Sequence, residues 1–301
     1  MVWHPPRHFG SYRIAPFVAG GSQSGGGMAV LACRPASGVP FRKFSTRRSP
    51  SVAPPLIFMR MNPDALCRRG GLLFVMATLL VAGCASDRTV PGPNTLGSRE
   101  QREGWKLLFD GKTTGGWRGF GKPAFPDKGW VVEDGWLRHV PKAGGGDIVT
   151  QELFTDFEFE FEWRIAAGAN SGVKYLIDEK RGSAVGHEYQ VIDDALHPDA
   201  AHGPKRQTAA LYDALPPQAP PIRPAGEINQ SRIRVNGDQV GHWLNGRKVL
   251  GYTLGSPELM AAKAASKFSK ESRWGTKFPT PILLQDHQDE VWYRNLRIRA
   301  L

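Results

Sequence analysis

Asp156-Phe157-Glu158-Phe159-Glu160-Phe161-Glu162-Trp163 alternates aromatic and acidic side chains without a break. Successive side chains of an extended chain point to opposite faces, so this stretch sets an aromatic row on one face and a carboxylate row on the other. That is the pattern of a strand with one face in a core, and we read Glu158, Glu160 and Glu162 as a solvated row. The chain around it is of the same kind. Trp130-Val-Val-Glu-Asp-Gly-Trp-Leu-Arg138 reads as a hairpin on an Asp-Gly turn. Asn170-Ser171-Gly172 reads as a turn leading into Val173–Asp178, and residues 232–249 read as strands broken by Asn-Gly turns. Only Pro257 to Lys270 has helical composition. Many short strands, frequent Gly and Asn turns, nine tryptophans and one short helix predict an all-β sandwich of two antiparallel sheets.

Two further strand-like segments carry polar groups where a core strand carries apolar ones. In His187-Glu188-Tyr189-Gln190-Val191-Ile192-Asp193-Asp194, Glu188 and Gln190 share one face while Tyr189 and Val191 share the other. In Pro281-Ile-Leu-Leu-Gln285-Asp286-His287-Gln288-Asp289, Gln285 and His287 likewise fall on one face. An acid or base beside an amide is expensive inside a sandwich, and fits a sheet face that lines a ligand groove.

The basic balance of the chain is concentrated at its start. Of 39 Lys and Arg against 28 Asp and Glu, the first 83 residues hold 10 and 1, a net of +9; the remainder holds 29 and 27, a net of +2. The later region therefore has no electrostatic footprint for nucleic acid. Leu72 to Gly83 is an apolar run of signal-peptide length preceded by Arg68 and Arg69, and it ends in Val81-Ala82-Gly83-Cys84. This pattern resembles a bacterial lipobox, which makes Cys84 the expected lipid-bearing residue and places a lipid-anchored domain in the bacterial envelope. Residues 1–60 fit no targeting pattern; translation is expected to begin at Met61 or Met59, with a disordered extension as the alternative. Residues 84–103 read as a linker and 104–301 as the folded domain. The cysteines are Cys33, Cys67 and Cys84, so that domain has neither a disulfide nor a cysteine nucleophile.

No sharply spaced metal motif, phosphate loop or Gly-x-Ser-x-Gly elbow occurs. The segments Trp105–Gly111, Trp130–Leu137, Asn170–Tyr175, Glu188–Asp193, Ala209–Asp213, His242–Gly246, Ser266–Phe268 and Pro281–Arg299, taken in order, resemble the 3-keto-disaccharide hydrolase domain family. The likeness spans about residues 103–300. It departs at Gly226-Glu227-Ile228-Asn229, where the family carries a tryptophan in place of Ile228, and at Gln288, which stands where the family has a turn glycine.

The resemblance implies a concanavalin A-like jelly roll with one sheet face open to carbohydrate. It also implies a substrate already oxidised to a ketone at C3, cleaved by loss of the C2 proton and elimination at C1. Such a route needs a base, donors at the C3 oxygen and an acid for the leaving oxygen. On this expectation His287 is the base, Lys174 stabilises the enolate, and Glu188 protonates the leaving group or orients His287. Gln190, Asp193, Tyr212, Gln285 and His242 contact the sugar. A divalent metal bridging Glu188 and His287 is left open. The alternative is a non-catalytic carbohydrate-binding lipoprotein. A direct Glu188–His287 contact favours the enzyme, and a flat aromatic strip without an acid and base favours the binding protein.

Overall fold

The computed structural model describes residues 92–301. The expected start at Met59 or Met61, the signal segment and Cys84 lie outside the described residues. In chain order the strands are β1 (Lys106–Leu107), β2 (Trp117–Gly119), β3 (Trp130–Glu133), β4 (Trp136–His139), β5 (Ile148–Thr150), β6 (Phe157–Ile165) and β7 (Asn170–Tyr175). They continue with β8 (His187–Ile192), β9 (Asn229–Asn236), β10 (Gln239–Leu244), β11 (Arg247–Thr253), β12 (Leu283–Leu284) and β13 (Val291–Ala300). Two short α-helices, α1 (Ser98–Arg102) and α2 (Pro257–Ala264), and three single-turn 3-10 helices complete the regular structure of the described residues.

The strands form the expected sandwich of two antiparallel sheets. The larger runs β11-β10-β9-β6-β13-β4-β3, with β1 beside the far end of β13; the smaller runs β2-β5-β12-β7-β8. The alternating strand β6 lies at the centre of the larger sheet. Phe157, Phe159, Phe161 and Trp163 are almost fully enclosed between the sheets, and burial of each contributes about 1.5–3 kcal/mol. Phe161 meets Tyr189 of the other sheet edge-on at 5.5 Å, and Phe157 meets Tyr175 at 6.3 Å.

Tyrosine hydroxyls also fasten the sheets together. Tyr189 shares a 2.8 Å hydrogen bond with Ser231, and Tyr293 shares one with Ser171. A longer chain connects His187 Nδ1, Tyr252, Tyr175 and His242 Nε2 at 2.8, 2.8 and 2.6 Å, and His242 Nδ1 is 2.9 Å from the Ala209 carbonyl. The carbonyl can only accept, so the His242 proton sits on Nδ1. The hydroxyls then donate in turn toward His242, and His187 donates from Nδ1. Burial lowers the pKa of His187 to about 3 and of His242 to about 4, so both rings are neutral.

Four features differ from the sequence reading. Asn170-Ser171-Gly172 is the first half of β7 rather than a turn. Tertiary partners override its turn-like composition: Ser171 Oγ donates to the Gln285 carbonyl at 2.8 Å, and the Asn170 N–H donates to Asp289 at 3.0 Å. The helix stops at Ala264 because Ser266 Oγ takes the Lys263 carbonyl and Phe268 turns inward to stack on Trp274 at 5.2 Å. Residues 84–103 are not linker throughout, since Asn94 exchanges hydrogen bonds with Asn295 and donates to Gly135, and α1 packs Glu100 against Arg297.

The glutamate row of β6 is not simply solvated either. Arg299 forks onto Glu158 Oε2 at 2.6 and 3.0 Å while Arg232 takes its other oxygen at 2.7 Å; Arg297 and Arg294 hold Glu160 and Glu162. Burial works against the Glu158 carboxylate, but these guanidinium hydrogen bonds outweigh it and hold its pKa below the usual range.

The histidine chain makes stability depend on acidification. In the unfolded chain both imidazoles protonate below about pH 6.5, whereas the folded ones do so only near their depressed values. Stability is therefore full above about pH 6.5 and falls by up to about 1.4 kcal/mol per pH unit for each histidine below it. Urea unfolding between about pH 7 and about pH 5 measures the slope, and His242→Gln is expected to remove about half of it.

Candidate active site

The cleft face of the smaller sheet follows from strand register. Lys174 pairs with Glu188 on one side and with Leu283 on the other, and Leu283 pairs with Val149, so these four form one row. In the next row Gly172 pairs with Gln190, and the Gln285 N–H donates to the Gly172 carbonyl at 2.9 Å. Continuing the β5–β12 register by one residue sets Asp147 beside Gln285. Alternate residues on the same strands, such as Val173, Tyr175, Tyr189, Val191, Ile148 and Leu284, lie in the core. The same backbone thus serves the core with one face and the cleft with the other.

Lys174 Nζ lies 3.7 Å from Glu188 Oε2, with the two side chains only 12% and 7% exposed. Glu188 leans across Gly172: a Cβ at position 172 would lie 2.5 Å from Oε1 and 3.1 Å from Cγ and Cδ. Glycine is needed here for the close approach of a carboxylate, not for an unusual backbone angle. One wall is built by residues 199–213. Arg206 binds Asp199 at 2.7 Å and Asp213 at 2.9 Å, and Tyr212 donates to Asp199 at 2.8 Å. Burial, with the Asp199 hydrogen bond and charge added, pushes the Tyr212 phenol above its ordinary pKa. Lys267 stands at the rim with Nζ 4.1 Å from the Tyr212 ring centre.

At the other end of the cleft, His287 is 46% exposed and its Nδ1 lies 3.8 Å from Asp289. Ligand atoms of His197, His287 and Asp289 all lie within 4.8 Å of one another, a spacing that suits a divalent cation. His197 Nδ1, however, accepts the Asp199 N–H at 3.0 Å. That bond leaves the ring proton on Nε2, so a cation must displace one or the other.

The structure brings together only some of the residues expected from sequence. Lys174, Glu188, Gln190 and Gln285 share the floor. Among the described residues the buried side-chain oxygens of Gln190 and Gln285 have no hydrogen-bond partner, and the Gln190 amide donates a long 3.4 Å bond to the Arg206 carbonyl. Tyr212 is on the wall. His287 makes no contact with Glu188: it follows β12, two strands from β8, roughly 10 Å or more away across the sheet. The metal-sized cluster accordingly joins His287 to His197 and Asp289, not to Glu188.

Asp193 is held by the turn after β8, its oxygens taking the Gly168 and Ala195 N–H groups at 2.8 and 3.0 Å. His242, expected to touch sugar, is fully buried between the sheets and bonded to Tyr175 and Ala209, so it does not reach the cleft. Its position in β10 points it inward with Val240 and Leu244. Sequence reasoning missed Asp147, Arg206 and Lys267. Lys267 lies inside a stretch used for the family resemblance, whereas Asp147 and Arg206 carry no local signal.

A cavity of about 320 Å³ opens on the outer face of the larger sheet among Glu160, Glu162, Arg232 and Arg297. Its charges are matched to one another, which gives it no free base or nucleophile.

A sandwich with a polar cleft on its smaller sheet is the architecture of a carbohydrate-active jelly roll. Residues 104–299 match the model of the 3-keto-alpha-glucoside-1,2-lyase-like domain, and the chain belongs to this family. It is 37% identical over 231 residues to a 3-keto-disaccharide hydrolase of Bacteroides thetaiotaomicron, covering 66% of this chain and 79% of that one. A crystal structure of a candidate glycosyl hydrolase from Parabacteroides distasonis superposes with a TM-score of 0.64 at 31% identity, covering 70% of this chain and all of the other.

Gly172→Ala is expected to fold with an unchanged unfolding midpoint, since the displaced atoms end a flexible side chain. If Glu188 takes part in the chemistry, glycoside cleavage should fall about 10²-fold, the cost of moving such a group by about 1 Å. Urea unfolding and a cleavage assay on the same preparation check both parts.

Proposed function

We propose that this cleft cleaves the glycosidic bond of 3-keto-glycosides or 3-keto-disaccharides by removing the C2 proton and eliminating the C1 substituent. The observation that carries the reading is the buried Lys174–Glu188 pair at 3.7 Å. A ketone at C3 acidifies the neighbouring C2–H, and the negative charge develops on the C3 oxygen. A carboxylate that reaches the C2 proton and an ammonium that reaches the C3 oxygen must stand side by side on one face, as this pair does. Membership of the family and the name of the Bacteroides relative agree with the substrate class.

On this reading Glu188, not His287, takes the C2 proton. Lys174 holds the enolate, whose electrons then form the C1–C2 double bond as the C1–oxygen bond breaks. The leaving oxygen departs with the bonding pair and gains a proton. Water supplies hydroxide to C1 of the enone, and the Glu188 proton returns to C2, so the net change is hydrolysis. Gln190, Gln285 and Tyr212 line the sugar, and the His287 end receives the more distant part of the substrate. No ordinary glycosidase pair of carboxylates is needed for bond cleavage by this route.

The test is exchange of the C2 hydrogen of 3-keto-trehalose or 3-keto-sucrose into deuterated water. Glu188→Gln is expected to slow exchange by about 10²–10⁴ while keeping the circular dichroism spectrum. His287→Gln is expected to keep exchange within about tenfold of wild type. The reverse outcome makes His287 the base.

We also infer a lipid anchor at Cys84, supported by the apolar run and the Val81-Ala82-Gly83-Cys84 sequence. Cys84→Ala should move the domain from the membrane to the soluble fraction of fractionated cells; retention of the variant on the membrane argues for an uncleaved anchor instead.

A further inference from the structure

The proposed elimination leaves one requirement unassigned, a donor for the departing glycosidic oxygen. Asp147 is placed to meet it. It immediately precedes β5, and because Ile148 faces the core, Asp147 falls on the cleft face in the row of Gln285, Gly172 and Gln190. That row adjoins the row of Lys174 and Glu188, and both of these charges act on the Asp147 carboxyl.

The side chain is anchored from one side only. Asp147 Oδ1 accepts the Asp286 N–H at 2.9 Å, and Asp286 in turn accepts the Gly146 N–H at 2.9 Å and the Gln288 N–H at 2.8 Å. His139, fully buried, lies 3.0 Å from Asp286 and 2.8 Å from the Asp289 carbonyl. The carboxyl is thus fixed by a hydrogen-bonded loop pair, and among the described residues its second oxygen has no hydrogen-bond partner. Among the described residues no cation forms a direct ion pair with Asp147, in contrast to Glu188 and to the β6 glutamates. Burial, with the charges of Glu188 and Asp286 added, raises its pKa above the usual carboxylate range against the opposing pull of Lys174. Two carboxyl groups in adjacent rows, one beside a cation and the other without one, are suited to opposite proton-transfer roles.

We propose that Asp147 is the general acid of the reaction, donating its proton to the glycosidic oxygen as the C1–oxygen bond breaks. The leaving group departs as a neutral alcohol, taking the bonding pair and the Asp147 proton. The Asp147 carboxylate then takes a proton from water while the resulting hydroxide adds to C1 and the Glu188 proton returns to C2. Both carboxyl groups end as they began. This inference rests on the elimination reading of the cleft.

A purely structural Asp147, pinning the β5 and β12 loops, makes a different prediction from a catalytic one. Asp147→Asn keeps an oxygen for the Asp286 N–H and loses only the acid. A leaving group that is stable as an anion needs no proton, so the deciding comparison is between 3-keto-trehalose and 4-nitrophenyl 3-keto-glucoside. The variant is expected to lose about 10²–10⁴ in kcat/KM on the first and less than about tenfold on the second. Equal losses on both substrates, or no loss on either, overturn the proposal.

A second measurement needs only the wild-type protein. A fall of kcat/KM beginning just above the carboxylate range should be present for 3-keto-trehalose and absent for the nitrophenyl substrate; identical profiles in that range overturn the proposal even if the variant fails to fold. C2 exchange separates this inference from the reading beneath it. Exchange at the wild-type level in Asp147→Asn, with slow exchange in Glu188→Gln, is expected. Wild-type exchange in Glu188→Gln removes the assigned base, while the leaving-group comparison still judges Asp147.

Discussion

The alternation of side chains along β7 and β8 is the constraint on which the cleft depends. Ser171, Val173 and Tyr175 face inward, as do His187, Tyr189 and Val191. Their contacts with Phe157, Phe161, Ser231, Tyr293, His242 and Tyr252 lock both strands to the larger sheet. With that face fixed, Lys174, Glu188 and Gln190 have no choice of direction. A one-residue slip would exchange the two sets and bury both charges in the core. The placing of the cleft side chains is therefore set by aromatic and hydroxyl groups buried between the sheets.

The protein carries two sets of glutamates on strands, and their partners give them different chemistry. Glu158 is closed on both oxygens, one by a fork from Arg299 and the other by a single Arg232 N–H, which ties β6 to β13 and β9. Three charge-assisted N–H bonds satisfy the carboxylate so fully that it has little capacity left for a ligand. Glu188 has a single lysine at 3.7 Å, beyond ordinary hydrogen-bond length, above a glycine that lets it lie flat. A carboxylate held by one long contact keeps lone pairs free to meet a ligand, which the arginine-bound glutamates do not. The arginine side chains that complete the first arrangement also stack on Trp105 and Trp136, so the outer face of the larger sheet is a structural surface.

Sequence alone determined the class of fold, because period-two alternation from Asp156 to Trp163 has one solution for burying four aromatic rings. It also singled out Glu188, Gln190 and Gln285, since polar groups on one face of an otherwise apolar strand are visible in a linear chain. Family resemblance added the substrate class and Lys174. Tertiary structure decided the rest. The Asn170-Ser171-Gly172 segment extends instead of turning because its hydrogen-bond partners come from residues 285 and 289. His242 and His287 both lie in strand-like stretches of sequence, yet His242 is enclosed by the rings of Tyr175, Tyr189 and Tyr252 while His287 is open to solvent. Asp147 joins the cleft only through the pairing of β5 with β12, segments 136 residues apart at Ile148 and Leu284 (284 − 148). Local pattern fixes which face a side chain takes; which other side chains share that face depends on strand order and register, and these are set by packing between residues far apart in the chain.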